Sequence, residues 1–150
     1  MLIQLYLLKL ELFWFELHQH YHFSEPQKIL NELIAAYSEK QCAYHTVQHL
    51  YECLSLIETI QSELNDPYAV ALALWFHDVV YEPQALDNEL KSAELFEQLM
   101  AQDLQLDTIQ KIKRWILATQ KHAPTGETDL QFLLDIDLAI LAATPERFIQ

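Results

Sequence analysis

The stretch PYAVALALWFHD, residues 67–78, carries no formal charge until its last position. Asp66 precedes Pro67, an N-cap followed by a proline in the first turn, and the pair predicts a helix start. A helix apolar on every side has to be enclosed on every side, so this one is expected at the centre of a packed core. It ends in His77-Asp78, adjacent ligand-type residues that are costly to bury unless paired or metal-bound. Taken alone, a core histidine beside a helix-capping aspartate explains the pair as well.

Working outward, hydrophobic period and capping signals give further helices on both sides. The first is expected from about Leu5 to Tyr21, with Leu10, Phe13, Trp14 and Leu17 on one face. Ser24 is expected to cap the second, with Gln27 as its capping-box partner and Pro26 inside the first turn, and the helix runs to about Tyr37. A third covers about His45 to Leu64. After the central helix, residues 79–86 form an irregular loop containing Pro83. A fifth helix runs from Asp87 to about Gln102. A sixth opens at Asp107, with Ile109, Ile112, Trp115 and Ile116 on one side, and Ala123-Pro124-Thr125-Gly126 breaks it. The seventh spans Leu130 to Ala143. Thr144-Pro145-Glu146 is one more start signal close to Gln150, so a fragment lacking C-terminal helices of a longer chain is expected.

Composition agrees with an all-α fold. The chain has 150 residues, with one glycine and five prolines, too few turn formers for a turn-rich β fold. Its 51% hydrophobic and 21% charged residues suit a single globular domain with its own core. Net charge is −13, from 22 acids against nine bases. Polymeric nucleic acid is therefore not an expected partner, since phosphate binding calls for clustered lysine and arginine. The densest basic group, Lys111, Lys113 and Arg114, is expected on an exposed helix face. Two cysteines, Cys42 and Cys53, form no C-x-x-C pair and suit free thiols in a reducing, cytoplasmic setting. The apolar N-terminus lacks a basic leader and a small-residue cleavage site, and is too short and polar to span a membrane. It is expected to pack on its own domain, with a homo-oligomer contact as an alternative use.

Seven histidines invite a search for convergence. His18, His20 and His22 alternate near a helix end and are expected at the surface. His45 and His49 stand at i and i+4, so both project from one helix face. In the segment LLDIDLAIL, residues 133–141, Asp137 is at helical spacing from Leu133, Leu134 and Leu141 and so points into the apolar stripe. Asp135 shares a face with Gln131 and Ala139 and is expected in solvent. A buried carboxylate needs a cation, and with no lysine or arginine expected beside it, a metal is the economical partner.

These residues, His49, then His77-Asp78, then Asp137, in a helical chain resemble the HD superfamily of metal-dependent phosphohydrolases, whose signature is H…HD…D. Tyr44-His45-Thr46-x-x-His49 is similar to a segment of cyclic-nucleotide phosphodiesterases. With WFHDVVYEP at 75–83, Asn88-Glu89, Ser92-Ala93, Thr119…His122 and the DIDLAIL run, the chain resembles a bacterial family of HD phosphohydrolases from about Trp14 onward.

The resemblance implies a helical bundle of about seven helices in which His49, His77, Asp78 and Asp137 bind a divalent ion. Mixed nitrogen and oxygen ligands suit manganese, iron, cobalt, nickel, zinc or magnesium rather than a thiolate-selected metal. It implies a small phosphorylated substrate, a nucleotide among the candidates. Asp78 is also expected to orient the attacking water or bridge to a second ion, and His45 to protonate the leaving oxygen. His122 is expected to contact phosphate, complete a second metal site, or simply face a helix C-terminus. Glu82, Asn88 and Glu89 flank the loop of the site, and Asp135 is expected either to hydrogen-bond a metal ligand from behind or to lie at the surface. The family places an arginine where this chain has Cys42, so a guanidinium that could clamp phosphate is missing. That departure favours the alternative of a non-catalytic metal- or nucleotide-binding module. A third alternative, di-iron oxidation, would need His45 and His122 as extra ligands.

Overall fold

The computed structural model describes residues 2–39 and 43–143, and the side chains of 2–39 and 46–140 within them. Among these, seven α-helices and one 3-10 turn follow in order, with no strand: α1 (Leu2–Tyr21), α2 (Pro26–Ser38), α3 (Ala43–Ile60), α4 (Pro67–His77), α5 (Asn88–Met100), α6 (Leu106–Ala118) and α7 (Thr128–Ala143). The all-α expectation therefore holds. Thr144-Pro145-Glu146 and Cys42 lie outside the described residues, as does the side chain of His45.

As its composition requires, α4 is the central element. Every residue from Leu72 to His77 is buried, and α1, α3, α5, α6 and α7 all pack around the helix. Its start follows the sequence signal: the Asp66 side chain accepts a hydrogen bond from the Ala69 N–H at 3.1 Å. All three tryptophans are fully buried. Trp14 meets Trp75 edge to face with ring centroids 5.3 Å apart and stacks on Phe23 at 4.7 Å.

Some local expectations are corrected. The Ser24 cap does not form: Pro26 is the first helical residue, Glu25 stands at the N-cap, and the Ser24 hydroxyl instead donates to Asp103 Oδ2 at 3.3 Å. The third helix ends at Ile60, and Gln61–Glu63 tighten into the 3-10 turn before Leu64 extends. His18 is more than a surface group, since its Nδ1 accepts the Phe23 N–H at 3.1 Å and helps close α1. The basic group on α6 is largely neutralised. Lys111 meets Asp66 at 3.1 Å, Lys113 meets Glu97 at 2.6 Å, and Arg114 meets Glu127 at 2.5 Å. No described helix is long and apolar enough to cross a membrane.

One buried acid sets the register of α7 on α4. Asp129, in the first turn of α7, accepts the backbone N–H groups of Asn65 and Asp66 at 2.8 Å each, just before α4 begins. Asp137 lies eight residues further along α7, about 12 Å at helical rise. It meets His77 at the other end of α4, so the two helices run side by side in the same direction.

Candidate metal centre

The C-terminal turn of α4 presents His77 and Asp78 because its orphan carbonyls are satisfied locally. The Tyr37 hydroxyl donates to the Trp75 carbonyl at 2.8 Å, and the Val79 N–H donates to the Phe76 carbonyl at 3.2 Å. The His77 Nδ1–H donates to the Leu74 carbonyl at 2.7 Å. That bond fixes the ring and leaves Nε2 as the atom that faces the centre, the backbone-anchored arrangement typical of metal-ligating histidines.

His77 Nε2 makes no hydrogen bond, although the residue is only 3% exposed. It stands 3.3 Å from Asp78 Oδ2 and 3.4 Å from Asp137 Oδ1. On the far side, His49 Nε2 from α3 is 2.8 Å from the same Asp137 Oδ1. The His122 Nε2–H donates to Asp137 Oδ2 at 2.6 Å. Helices α3, α4 and α7, with the turn after α6, thus bring three imidazoles around Asp137, with Asp78 beside His77. Asp137 is 4% exposed, whereas the Asp78 side chain is 43% exposed and forms the solvent-facing edge.

Two observations test whether these residues fit a divalent ion. The first is the buried, unbonded nitrogen aimed between two carboxylate oxygens, an arrangement that asks for a cation. The second is spacing: ligand atoms bound at about 2.1 Å lie roughly 3.0–3.4 Å apart at octahedral or tetrahedral angles, matched by His77 Nε2 at 3.3 Å from Asp78 and 3.4 Å from Asp137, while His49 at 2.8 Å from Asp137 is at hydrogen-bond distance. His49, His77 and Asp78 form one cluster of mutually close donor atoms, and His49, Cys53 and Asp137 form another. These are the residues that could hold a metal ion.

Two carboxylates, Asp78 and Asp137, dominate the electrostatics of the cluster. Burial disfavours a charged Asp137, yet the His77 charge beside it and the hydrogen bonds from His122 and His49 hold its carboxyl well below the usual carboxylate range. Burial also disfavours the His77 imidazolium, but the charges of Asp78 and Asp137, with the bond to the Leu74 carbonyl, push its pKa well above the ordinary histidine value. Burial first, then the charges of Asp137 and Asp78, push the Cys53 thiol up.

His122 is held by its backbone as well as its ring. It adopts φ 53°, left-handed backbone that costs a non-glycine residue about 1 kcal/mol, and its N–H closes α6 on the Ala118 carbonyl at 3.1 Å. The outcome is an imidazole that orients Asp137. Asn88 and Ser92 pin the loop that follows Asp78. Asn88 Oδ1 accepts the Glu82 N–H at 3.0 Å, its Nδ2–H donates to the Glu82 carbonyl at 3.1 Å, and Ser92 Oγ accepts the Val80 N–H at 3.0 Å.

Of the remaining candidates, those with described side chains, Asp135, Glu82 and Glu89, are not among these ligand groups. Asp135 is exposed and accepts a hydrogen bond from the Gln131 amide at 2.9 Å, on the opposite side of α7 from Asp137. The Glu82 side chain is exposed, and neither it nor Glu89 belongs to a described ligand group. His45 begins the face of α3 that carries His49, with its side chain outside the described residues. Sequence reasoning missed Cys53 and Asp129. Cys53 was visible as the next i+4 step of the His45–His49 ladder, whereas nothing local marks Asp129, whose partners are far away in the chain. No protein family, curated protein or solved structure matches the chain.

Proposed function

We propose that this protein is a metal-dependent phosphohydrolase of the HD type, hydrolysing a nucleotide or another small phosphate ester. The supporting observation is the buried His77 Nε2, free of hydrogen bonds and facing Asp78 and Asp137, with His49 joined through the same Asp137 oxygen. His49, His77, Asp78 and Asp137 would hold the ion. When bound, a divalent ion supplies Lewis-acid polarisation of a phosphoryl oxygen and lowers the pKa of water.

The chain's own residues supply the rest. The Leu74 carbonyl and His122 orient His77 and Asp137, so the ligand set is held before substrate arrives. Asp78, half in solvent, is the group able to accept a proton from an attacking water at the open edge. His45, one turn before His49, is the proposed acid for the leaving oxygen. Net charge is strongly negative, so a phosphorylated substrate depends on the local cation rather than on the overall field.

The test is elemental analysis of the full chain purified without chelator, beside the Asp137→Ala variant, followed by a panel of phosphate monoesters, diesters and nucleotides. About one divalent ion per chain, lost in the variant, is expected, together with phosphate release that falls at least about 100-fold in Asp78→Ala. Wild-type turnover in Asp78→Ala would remove the assignment. Tight nucleotide binding without product across the panel would replace the enzyme with a binding module.

A further inference from the structure

Cys53 lies on α3 one turn after His49, fully buried, and its Sγ is 3.6 Å from His49 Nε2, the nitrogen that also meets Asp137 Oδ1 at 2.8 Å. The three donor atoms are close to one another and none belongs to an exposed residue. Nitrogen and sulfur sharing an ion at about 2.05 and 2.3 Å stand roughly 3.6 Å apart at a tetrahedral angle. A buried cysteine is ordinarily a small hydrophobe packed among aliphatic groups. This one has its sulfur against an imidazole nitrogen that is itself turned to a buried carboxylate. An independent sign of a ligand comes from α4, where the 3%-exposed His77 Nε2 has no hydrogen bond and stands 3.4 Å from the same Asp137 oxygen.

We propose that Cys53 joins His49 and Asp137 as a ligand, so that this centre prefers a thiophilic divalent ion, zinc foremost, over magnesium or manganese. The inference rests on the metal-site reading above and names the metal class for it. On binding, the Sγ–H bond breaks, the sulfur lone pair goes to the ion, and the proton leaves to solvent. Softness then sorts the metals: thiolate selects zinc, iron(II) and cobalt(II), whereas magnesium and manganese favour oxygen donors. That reverses the expectation drawn from nitrogen and oxygen ligands alone.

The probe is cobalt(II), added to the chelator-stripped full chain. The expected result is a thiolate-to-cobalt charge-transfer band in the near ultraviolet, kept in Cys42→Ser and absent in both Cys53→Ser and Cys53→Ala. Zinc affinity, measured by chelator competition, is expected to fall at least about tenfold in Cys53→Ala while manganese affinity stays within about twofold. The wild-type spectrum needs no variant to fold, and far-ultraviolet circular dichroism checks the helix content of each variant. Cobalt bound at one equivalent without a charge-transfer band would overturn the role of Cys53 and leave the metal centre standing. No bound cobalt, zinc or manganese in the wild-type chain would overturn both.

Discussion

Replacing Asp137 with asparagine keeps the side-chain shape and removes the charge on which the site converges. In the chelated protein, Asp137 faces three imidazole nitrogens, at 2.8 Å for His49, 2.6 Å for His122 and 3.4 Å for His77. Removing one member of a buried pair costs about 3–5 kcal/mol. Asparagine keeps one acceptor and His77 can shed its proton, so the lower bound, about 3 kcal/mol, is the expected loss. A domain of this size shifts by roughly 2–4 °C per kcal/mol, which gives a melting temperature lower by about 6–12 °C. Saturating zinc adds a second difference. An ion at a thousand times its Kd stabilises the folded state by about 4.1 kcal/mol, which raises the wild-type melting temperature by roughly 8–16 °C. Asp137→Asn is expected to show no such rise. Thermal melts followed by circular dichroism, with chelator and with excess zinc, read both effects. A variant that gains as many degrees from zinc as the wild type would refute the idea that Asp137 is a ligand.

Other consequences follow from the same geometry. Asp129→Asn takes a buried carboxylate from two backbone N–H groups and is expected to cost roughly 2–3 kcal/mol, seen as a lower urea midpoint with an unchanged slope; an unaltered midpoint would mean that the α7–α4 tie contributes nothing. Glu127 has its pKa lowered by the Arg114 hydrogen bond and, against some desolvation, by the Trp115 indole N–H at 2.9 Å. A depressed folded pKa gives stability present above the unfolded value of 4.5 and lost as pH falls through the folded value, so Glu127→Gln should flatten the acid limb of stability against pH. Equal acid limbs in the two proteins would sink that assignment. Asn88→Ala removes both bonds to Glu82 and should speed hydrogen exchange at the Glu82 amide, with Ser92→Ala doing the same at Val80; protection equal to wild type would show that the loop is held by other contacts.

The sequence by itself determined the helix succession, the central place of α4, the Asp66–Pro67 start, and the inward face of Asp137 opposite an outward Asp135. All of these depend on neighbours a few residues away, because helical periodicity and capping are local. The tertiary structure alone decided which inward groups meet. His49 and Asp137 are 88 positions apart, and their 2.8 Å contact depends on how α3 and α7 are turned and shifted against α4. Periodicity fixes the face a residue occupies but carries nothing about that rotation or its sliding along the axis. The same gap explains Cys53, whose helical step was legible while its partner across the core was not. It also explains His122, which stands at the end of α6 in the sequence and on the Oδ2 of Asp137 in the fold. Asp129 marks the limit most clearly: its carboxylate fixes the register of α7 through two backbone N–H groups, which every residue type but proline offers and no sequence pattern marks.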